Sequence, residues 1–227
     1  MIDSTLWELP PIIRNVALTF VLLILTPVIG FSKYPEWKDI TKTAAAGIVR
    51  VHVIHQAKQH IKPYSDGDLY SRLGTGFFIN NRQFVTNQHV VEGSHTIKIE
   101  GAGTHERFEV KLAAKPSLKF DLAILEFIND EERKRFELVN GPISALEWAD
   151  WEEAQPGDQV SVLGFGRSEK LVATQGIISS WEPRYDLFQK RLDQVTLIRT
   201  DAAVNTGNSG GPVLSANGQL ALGSGQR

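Results

Sequence analysis

Short segments in which apolar and polar residues alternate recur along most of the chain, and they constrain its fold more than any other feature. Alternation with a period of two is typical of strands that bury one face. In the first half this pattern occurs at residues 48–55 (IVRVHVIH), 74–80, 83–86, 95–100, 108–114 and 121–127. In the second half strands are predicted at residues 159–163, 173–181, 195–201, 212–215 and 219–224. The pattern therefore predicts an all-β chain.

Pairs of turn-forming residues separate many of these segments, as in Asn80-Asn81, Pro156-Gly157 and Asn217-Gly218. Many short strands joined by tight turns indicate a barrel or a sandwich. The charged stretch at residues 129–140 is predicted to hold a short helix between two halves. We therefore expect an N-terminal β-barrel over residues 47–140 and a C-terminal one over residues 141–227.

Composition excludes several classes of protein. The 227 residues are 42% hydrophobic, which is enough for one large domain or two small ones that pack together. The 24 basic and 26 acidic residues are interspersed, so we expect no nucleic-acid partner. Cysteine is absent, which excludes disulfides, a cysteine nucleophile and thiolate metal sites. A covalent nucleophile in this chain must therefore be a hydroxyl group.

The N-terminal 32 residues have the layout of a targeting segment. Residues 16–25 (VALTFVLLIL) are apolar apart from one threonine, and Arg14 and Pro27 flank them. We predict a signal peptide cleaved after Gly30 or, alternatively, a membrane anchor through residues 16–31, which is shorter than the ~20 residues that a spanning helix needs. A buried core helix is a third interpretation. The first two predict an exported, periplasmic or other extracytoplasmic protein, with residues 33–46 as a linker that holds one helical turn.

The strongest chemical motif is residues 206–212 (TGNSGGP), which lie between two predicted strands. A serine that attacks a carbonyl needs backbone N–H groups aimed at the developing oxyanion, and glycine allows the tight loop that presents them. Gly207 and Ser209 are the candidate donors, and Ser209 is the candidate nucleophile. Such a sequence also suits an ordinary surface turn, because Asn, Ser and Gly dominate turns for conformational reasons.

His89 lies where the apolar strand at residues 83–86 ends, and it is the candidate base. A serine is a weak nucleophile until a neighbouring imidazole takes its proton. The other histidines have no glycine-rich partner motif and are interpreted as surface or packing residues: His52, His55, His60, His95 and His105. None of the spacings matches a zinc motif such as HExxH, so we expect no metal and no cofactor.

Asp121 is the candidate third member of the site. It comes directly before the apolar run Leu122-Ala123-Ile124-Leu125, and an acid that opens a buried strand needs a partner. A buried carboxylate would fix the tautomer of the histidine. The alternative is that Asp121 is an exposed turn residue ahead of a strand.

Taken in order, these segments resemble a known family. TNQHVV, FDLAIL and TDAAVNTGNSGGP present His, Asp and Ser in the order used by chymotrypsin-like serine peptidases. The chain is most similar to the HtrA/Deg branch, and the resemblance extends over residues 45–225. The motifs of that branch have counterparts at residues 74–77 (GTGF), 86–91, 121–125, 157–164, 175–179 and 200–212.

The resemblance implies two six-stranded antiparallel barrels with a His89, Asp121 and Ser209 triad in the cleft between them. Gly207 and Ser209 would donate to the oxyanion. Ala203 and Val204 would line the specificity pocket, which predicts cleavage after small or medium aliphatic residues. Polypeptide substrates are implied, as is a homo-trimer. The edge strand that pairs with the substrate would contain Leu222, Gly223 and Ser224.

The chain departs from the HtrA/Deg pattern at its C-terminal end. We expect no PDZ domain after the protease and an incomplete second barrel, because the sequence stops at Arg227 after five predicted strands.

The main hypothesis is an ATP-independent serine endopeptidase that cleaves unfolded or misfolded polypeptides. A catalytically impaired protease that acts as a binding module is the alternative. A small-molecule esterase is the third hypothesis. An α/β-hydrolase esterase would need a GxSxG elbow and a parallel sheet, and this sequence has neither.

Overall fold

The first half of the chain folds into a closed barrel of six antiparallel strands. We describe it from a computed structural model, which describes residues 36–56, 69–149, 154–166, 170–185 and 191–223. The strands are β1 (Ile48–Gln56), β2 (Leu69–Phe78), β3 (Gln83–Thr86), β4 (Ser94–Gly101), β5 (Arg107–Leu112) and β6 (Ala123–Phe127). Their order around the barrel is β1-β2-β3-β6-β5-β4, and β4 closes it by pairing with β1. Each predicted strand of this half is confirmed.

The second half contributes a five-stranded antiparallel sheet within the described residues, and each predicted segment falls on one of its strands. The strands are β7 (Gln159–Gly164), β8 (Val172–Tyr185), β9 (Arg191–Thr200), β10 (Pro212–Ser215) and β11 (Leu220–Gly223). Their order is β11-β10-β7-β8-β9. The prediction of an all-β architecture is therefore confirmed, with a barrel in the first half and an open sheet in the second.

Three helices accompany the strands in the described part of the chain: α1 (Trp37–Ala45), α2 (Gln88–Val91) and α3 (Asp130–Asn140). α1 lies in the segment predicted as a linker with a helical turn. α3 confirms the helix predicted at residues 129–140. The Asn129 side chain accepts from the N–H of Glu132 at 2.8 Å, and α3 ends at Asn140, followed by Gly141 with φ of 85°.

None of the described helices has the length and apolar composition needed to cross a bilayer. The N-terminal segment that we interpreted as a signal peptide or an anchor lies outside the described residues.

The alternation in β1 places three valines on one face of the strand and Arg50 and His52 on the other. Val49, Val51 and Val53 are fully buried in the barrel core, with an aromatic cluster that includes Phe78, Phe84, Phe108, Phe127 and Phe136. This separation is what period-two patterning predicts for a strand whose two faces contact different surroundings.

Polar residues on the other face of β1 link the barrel to the second half. Glu100 on β4 is buried and accepts from Nε2 of His52 at 2.8 Å, while the Arg50 guanidinium lies over the ring of Phe165, 5.4 Å from Cζ to the centroid. Burial and the charge of Arg107 lower the pKa of His52. Together they outweigh the hydrogen bond and the charge of Glu100, which act to raise that pKa. Because Phe165 follows β7, this cluster joins the barrel to the segment that leads toward the candidate site.

Candidate active site

His89 lies in the short helix α2 that follows β3, and Asp121 lies in the turn that precedes β6. The Asp121 carboxylate contacts the histidine twice: Oδ1 accepts from the backbone N–H of His89 at 3.0 Å, and Oδ2 lies 2.8 Å from Nδ1. An ionised carboxylate can only accept, so Nδ1 must carry the proton. In the neutral imidazole Nε2 is then unprotonated, which is the state that a general base requires.

The backbone at Asp121 is unusual, since it is the one non-glycine residue with positive φ (53°) in the described part of the chain. Aspartate tolerates this left-handed region better than most residues. Its carbonyl accepts from Asn87 Nδ2 at 2.9 Å and from the N–H of Gln88 at 3.1 Å. These bonds and those of the carboxylate hold the aspartate against the segment that carries His89, as expected of strain retained at a functional site.

Ser209 lies in a tight loop that we call the glycine loop, residues 205–211, which ends where β10 begins. The N–H of Asn208 donates to the Asn205 carbonyl at 2.9 Å, and the N–H of Gly211 donates to the Asn208 carbonyl at 2.8 Å. Gly207 has φ of 100° and Gly210 of 86°, values that favour glycine. The glycine-rich composition thus produces a compact turn in which Ser209 is 7% exposed.

The glycine loop is attached to the barrel through Thr75 on β2. The N–H of Thr75 donates to the Ser209 carbonyl at 2.9 Å, and its Oγ1 donates to the Gly207 carbonyl at 2.8 Å. A Cβ on Gly210 would lie 2.1 Å from the Thr75 carbonyl oxygen and 2.2 Å from Thr86 Oγ1, so glycine is required there. In the sequence, Thr75 stands out only as part of the GTGF motif. A threonine between two strand glycines was the available signal, because such glycines indicate close approach of another backbone.

The backbone N–H groups of Gly207 and Ser209 are available to bind a substrate. Among the hydrogen bonds of the described residues, none uses the N–H of Gly207 or Ser209, and none joins the Ser209 hydroxyl to His89. The serine–histidine contact is often long or poorly aligned in enzymes without substrate. The loop therefore offers two unused donors beside a serine, as an oxyanion site requires.

The residues predicted to contact the substrate lie beside this loop in sequence and in the sheet. The Ala203 carbonyl accepts from Thr174 Oγ1 at 2.8 Å, and Val204 packs against the apolar core of the second half. Leu222 and Gly223 belong to β11 and pair with β10, the strand that follows the glycine loop. Ser224 lies outside the described residues.

In the described part of the chain, no group of three or more His, Cys, Asp and Glu side chains could hold a metal ion. Nε2 of His52 and Nδ1 of His105 lie 2.8 Å and 3.5 Å from the carboxylate oxygens of Glu100. Both histidines are away from the His89–Asp121 pair.

Residues 74–221 match the trypsin-like peptidase domain family, a range that includes His89, Asp121 and Ser209 and covers more than half of the chain. The chain belongs to this family of trypsin-like peptidase domains.

Within that family the chain is HtrA-like. It is 30% identical over 200 residues to the serine protease Do-like HtrA of Bacillus subtilis, which covers 83% of this chain and 41% of that protein. It is 38% identical over 146 residues to a DegP-like periplasmic serine endoprotease of Rickettsia prowazekii, covering 63% of this chain and 26% of that one. A mitochondrial Do-like protease of Arabidopsis thaliana is 30% identical over 175 residues, covering 77% and 29%. The chain thus spans less than half the length of these relatives.

Solved structures support the fold. An HtrA-type protease with a tripeptide superimposes with a TM-score of 0.62 at 21% identity, covering 82% of this chain and 52% of that one. A protease of M. tuberculosis in its active form gives 0.57 at 24% identity, covering 80% and 70%. The predicted chymotrypsin-like fold is therefore confirmed.

Proposed function

We propose that this chain is a serine endopeptidase in which Ser209 is the nucleophile, His89 the general base and then acid, and Asp121 the residue that orients His89. The observation that carries the proposal is the pair of contacts from the Asp121 carboxylate to His89, at 3.0 Å and 2.8 Å. They hold the imidazole in the tautomer that can accept a proton from a serine.

The chemistry is acyl transfer. Oγ of Ser209 attacks the carbonyl carbon of a peptide bond while Nε2 of His89 takes the hydroxyl proton. The N–H groups of Gly207 and Ser209 donate to the oxyanion of the tetrahedral intermediate. The C–N bond then breaks, His89 returns its proton to the leaving amine, and an ester with Ser209 remains. Water, deprotonated by His89, hydrolyses the ester and restores the serine.

The substrate and the location are also part of the proposal. We propose unfolded or misfolded polypeptides as substrates and an exported, extracytoplasmic enzyme. A periplasmic serine endoprotease is among the relatives, although others are mitochondrial. The apolar residues 16–31 are consistent with export through a signal peptide or with membrane attachment. Assembly into a homo-trimer remains a prediction from family resemblance.

We further propose a preference for small or medium aliphatic residues before the cleaved bond, because Ala203 and Val204 are apolar and Val204 packs against an apolar core. A panel of fluorogenic peptides that differ only in that residue tests this. Valine or alanine peptides are expected to give a higher kcat/KM than lysine or arginine peptides. Equal or faster cleavage after lysine or arginine would contradict the assignment.

The nucleophile is tested by labelling the purified chain with a fluorophosphonate probe. The unmodified chain is expected to be labelled, and Ser209→Ala is expected to lose both labelling and casein hydrolysis, by at least about 10⁴-fold in rate. Ser94→Ala, at the start of β4, serves as the matched control and should be labelled like the unmodified chain.

Two outcomes would count against the proposal. Labelling that survives in Ser209→Ala would place the nucleophile elsewhere. A folded, unmodified chain that takes no label would favour the alternative hypothesis, a catalytically impaired protease that acts as a binding module.

A further inference from the structure

Thr75 makes four hydrogen bonds although no atom of it is exposed. Its N–H and Oγ1 donate to the Ser209 and Gly207 carbonyls, as described above. Its Oγ1 also accepts from the N–H of Phe165 at 3.0 Å, and its carbonyl accepts from Thr86 Oγ1 at 2.7 Å. A single buried side chain therefore joins β2, the segment after β7 and the glycine loop.

We propose that the Thr75 hydroxyl is a positioning group for the oxyanion site, an inference that rests on the proposed function. Three successive carbonyls of the glycine loop have partners: Gly207 with Thr75 Oγ1, Asn208 with the N–H of Gly211, and Ser209 with the N–H of Thr75. The carbonyl of one residue and the N–H of the next point in opposite directions across a planar trans peptide. The Asn208 carbonyl therefore sets the direction of the Ser209 N–H, while the bonds from Thr75 to the Gly207 and Ser209 carbonyls hold the peptides on either side of it.

The hydroxyl of Thr75 has a determined orientation. It carries a single proton, and the N–H of Phe165 points a donor at its oxygen, so the proton is directed to the Gly207 carbonyl. Without the hydroxyl, both the Phe165 N–H and the Gly207 carbonyl lose a partner inside the protein. The peptide between Gly207 and Asn208 would then lose the bond at its carbonyl and keep the one from its N–H to Asn205, at 2.9 Å.

A rotation of this peptide changes the backbone angles at Asn208 and so turns the next peptide, which carries the N–H of Ser209. Oxyanion donors act only when they point to the position that the negative oxygen will occupy, and a displacement of about 1 Å can reduce the rate about 10²-fold. The effect falls on the transition state and not on ground-state binding, so kcat should change more than KM.

Thr75→Val and Thr75→Ser separate this role from packing. Valine keeps the shape and removes the hydroxyl, whereas serine keeps the hydroxyl. We expect Thr75→Val to lower kcat about 10- to 100-fold with KM within about threefold, and Thr75→Ser to stay within about threefold of the unmodified chain. Thr104→Val is the matched control, because it removes a hydroxyl that donates to Asn140 at 2.9 Å, remote from the glycine loop. Its kcat should be unchanged.

A readout without turnover tests the same inference. In Thr75→Val, the amide protons of Asn208 and Gly211 are expected to exchange with solvent at least about tenfold faster, while Thr75→Ser and Thr104→Val leave them unchanged. Unchanged exchange in Thr75→Val would overturn the inference even if the chain hydrolyses nothing. The inference would also be overturned if the unmodified chain is active and a folded Thr75→Val keeps its full kcat. The proposed function would then still stand.

Discussion

Replacing Asp121 with asparagine is expected to lower kcat for peptide hydrolysis about 10⁴-fold at neutral pH. The carboxylate accepts from the Nδ1–H of His89, whereas an amide can turn its NH₂ group toward Nδ1. The proton of the imidazole then lies on Nε2, where it prevents removal of the Ser209 proton. Steady-state kinetics with a fluorogenic peptide measure the loss.

The fold should tolerate this change, because asparagine also adopts the left-handed backbone conformation found at residue 121. The thermal unfolding midpoint therefore separates a catalytic effect from a structural one. Asp130→Asn is the matched control: Asp130 opens α3 and pairs with Arg82 at 3.0 Å on the surface, so this variant should keep full activity. A kcat for Asp121→Asn within tenfold of the unmodified chain would contradict the role given to Asp121.

Gly210→Ala is expected to abolish activity and to lower the free energy of unfolding by about 2–5 kcal/mol. Two costs add: overpacking against Thr75 and Thr86, about 1–3 kcal/mol, and the left-handed conformation, about 1–2 kcal/mol. The backbone next to Ser209 must move to relieve the overlap, and the hydroxyl and the oxyanion donors move with it. Urea unfolding and fluorophosphonate labelling together measure the two effects.

Gly103→Ala provides the comparison that isolates the overlap. Its φ is 99°, close to the 86° of Gly210, but a Cβ there meets no atom within 4 Å. We expect a loss of about 1–2 kcal/mol from the backbone conformation alone and unchanged labelling. If both variants lost stability equally and both kept their labelling, the close packing between the glycine loop and β2 would not matter.

Much of the architecture could be predicted because period-two alternation reports directly on which face of a strand is buried. β1 illustrates this, since its three valines lie in the core and Arg50 and His52 face the other way. The helix α3 was also predictable, from its charge and from the turn residues around it. The six-stranded closure of the barrel was implied only by the family resemblance.

The candidate site was predictable for the residues that motifs name and not for those that hold them. Asp121 and His89 could be proposed from sequence, but the positive φ of Asp121 and its bonds to Asn87 and Gln88 arise from the tertiary fold. The glycines on either side of Thr75 indicate that another backbone comes close, but not that this backbone is the loop of Ser209, 134 residues away. Such contacts are set by how the barrel meets the second half, which propensity does not encode.

The bonds between Thr75 and the glycine loop also bear on when the proposed enzyme can act during its own synthesis. The loop belongs to the second half of the chain, and both groups that hold its Gly207 and Ser209 carbonyls belong to the first. A chain in which only one half has folded lacks either His89 or a fixed loop. If His89, Asp121 and Ser209 act as proposed, we therefore expect nascent or partly unfolded copies not to cleave neighbouring polypeptides.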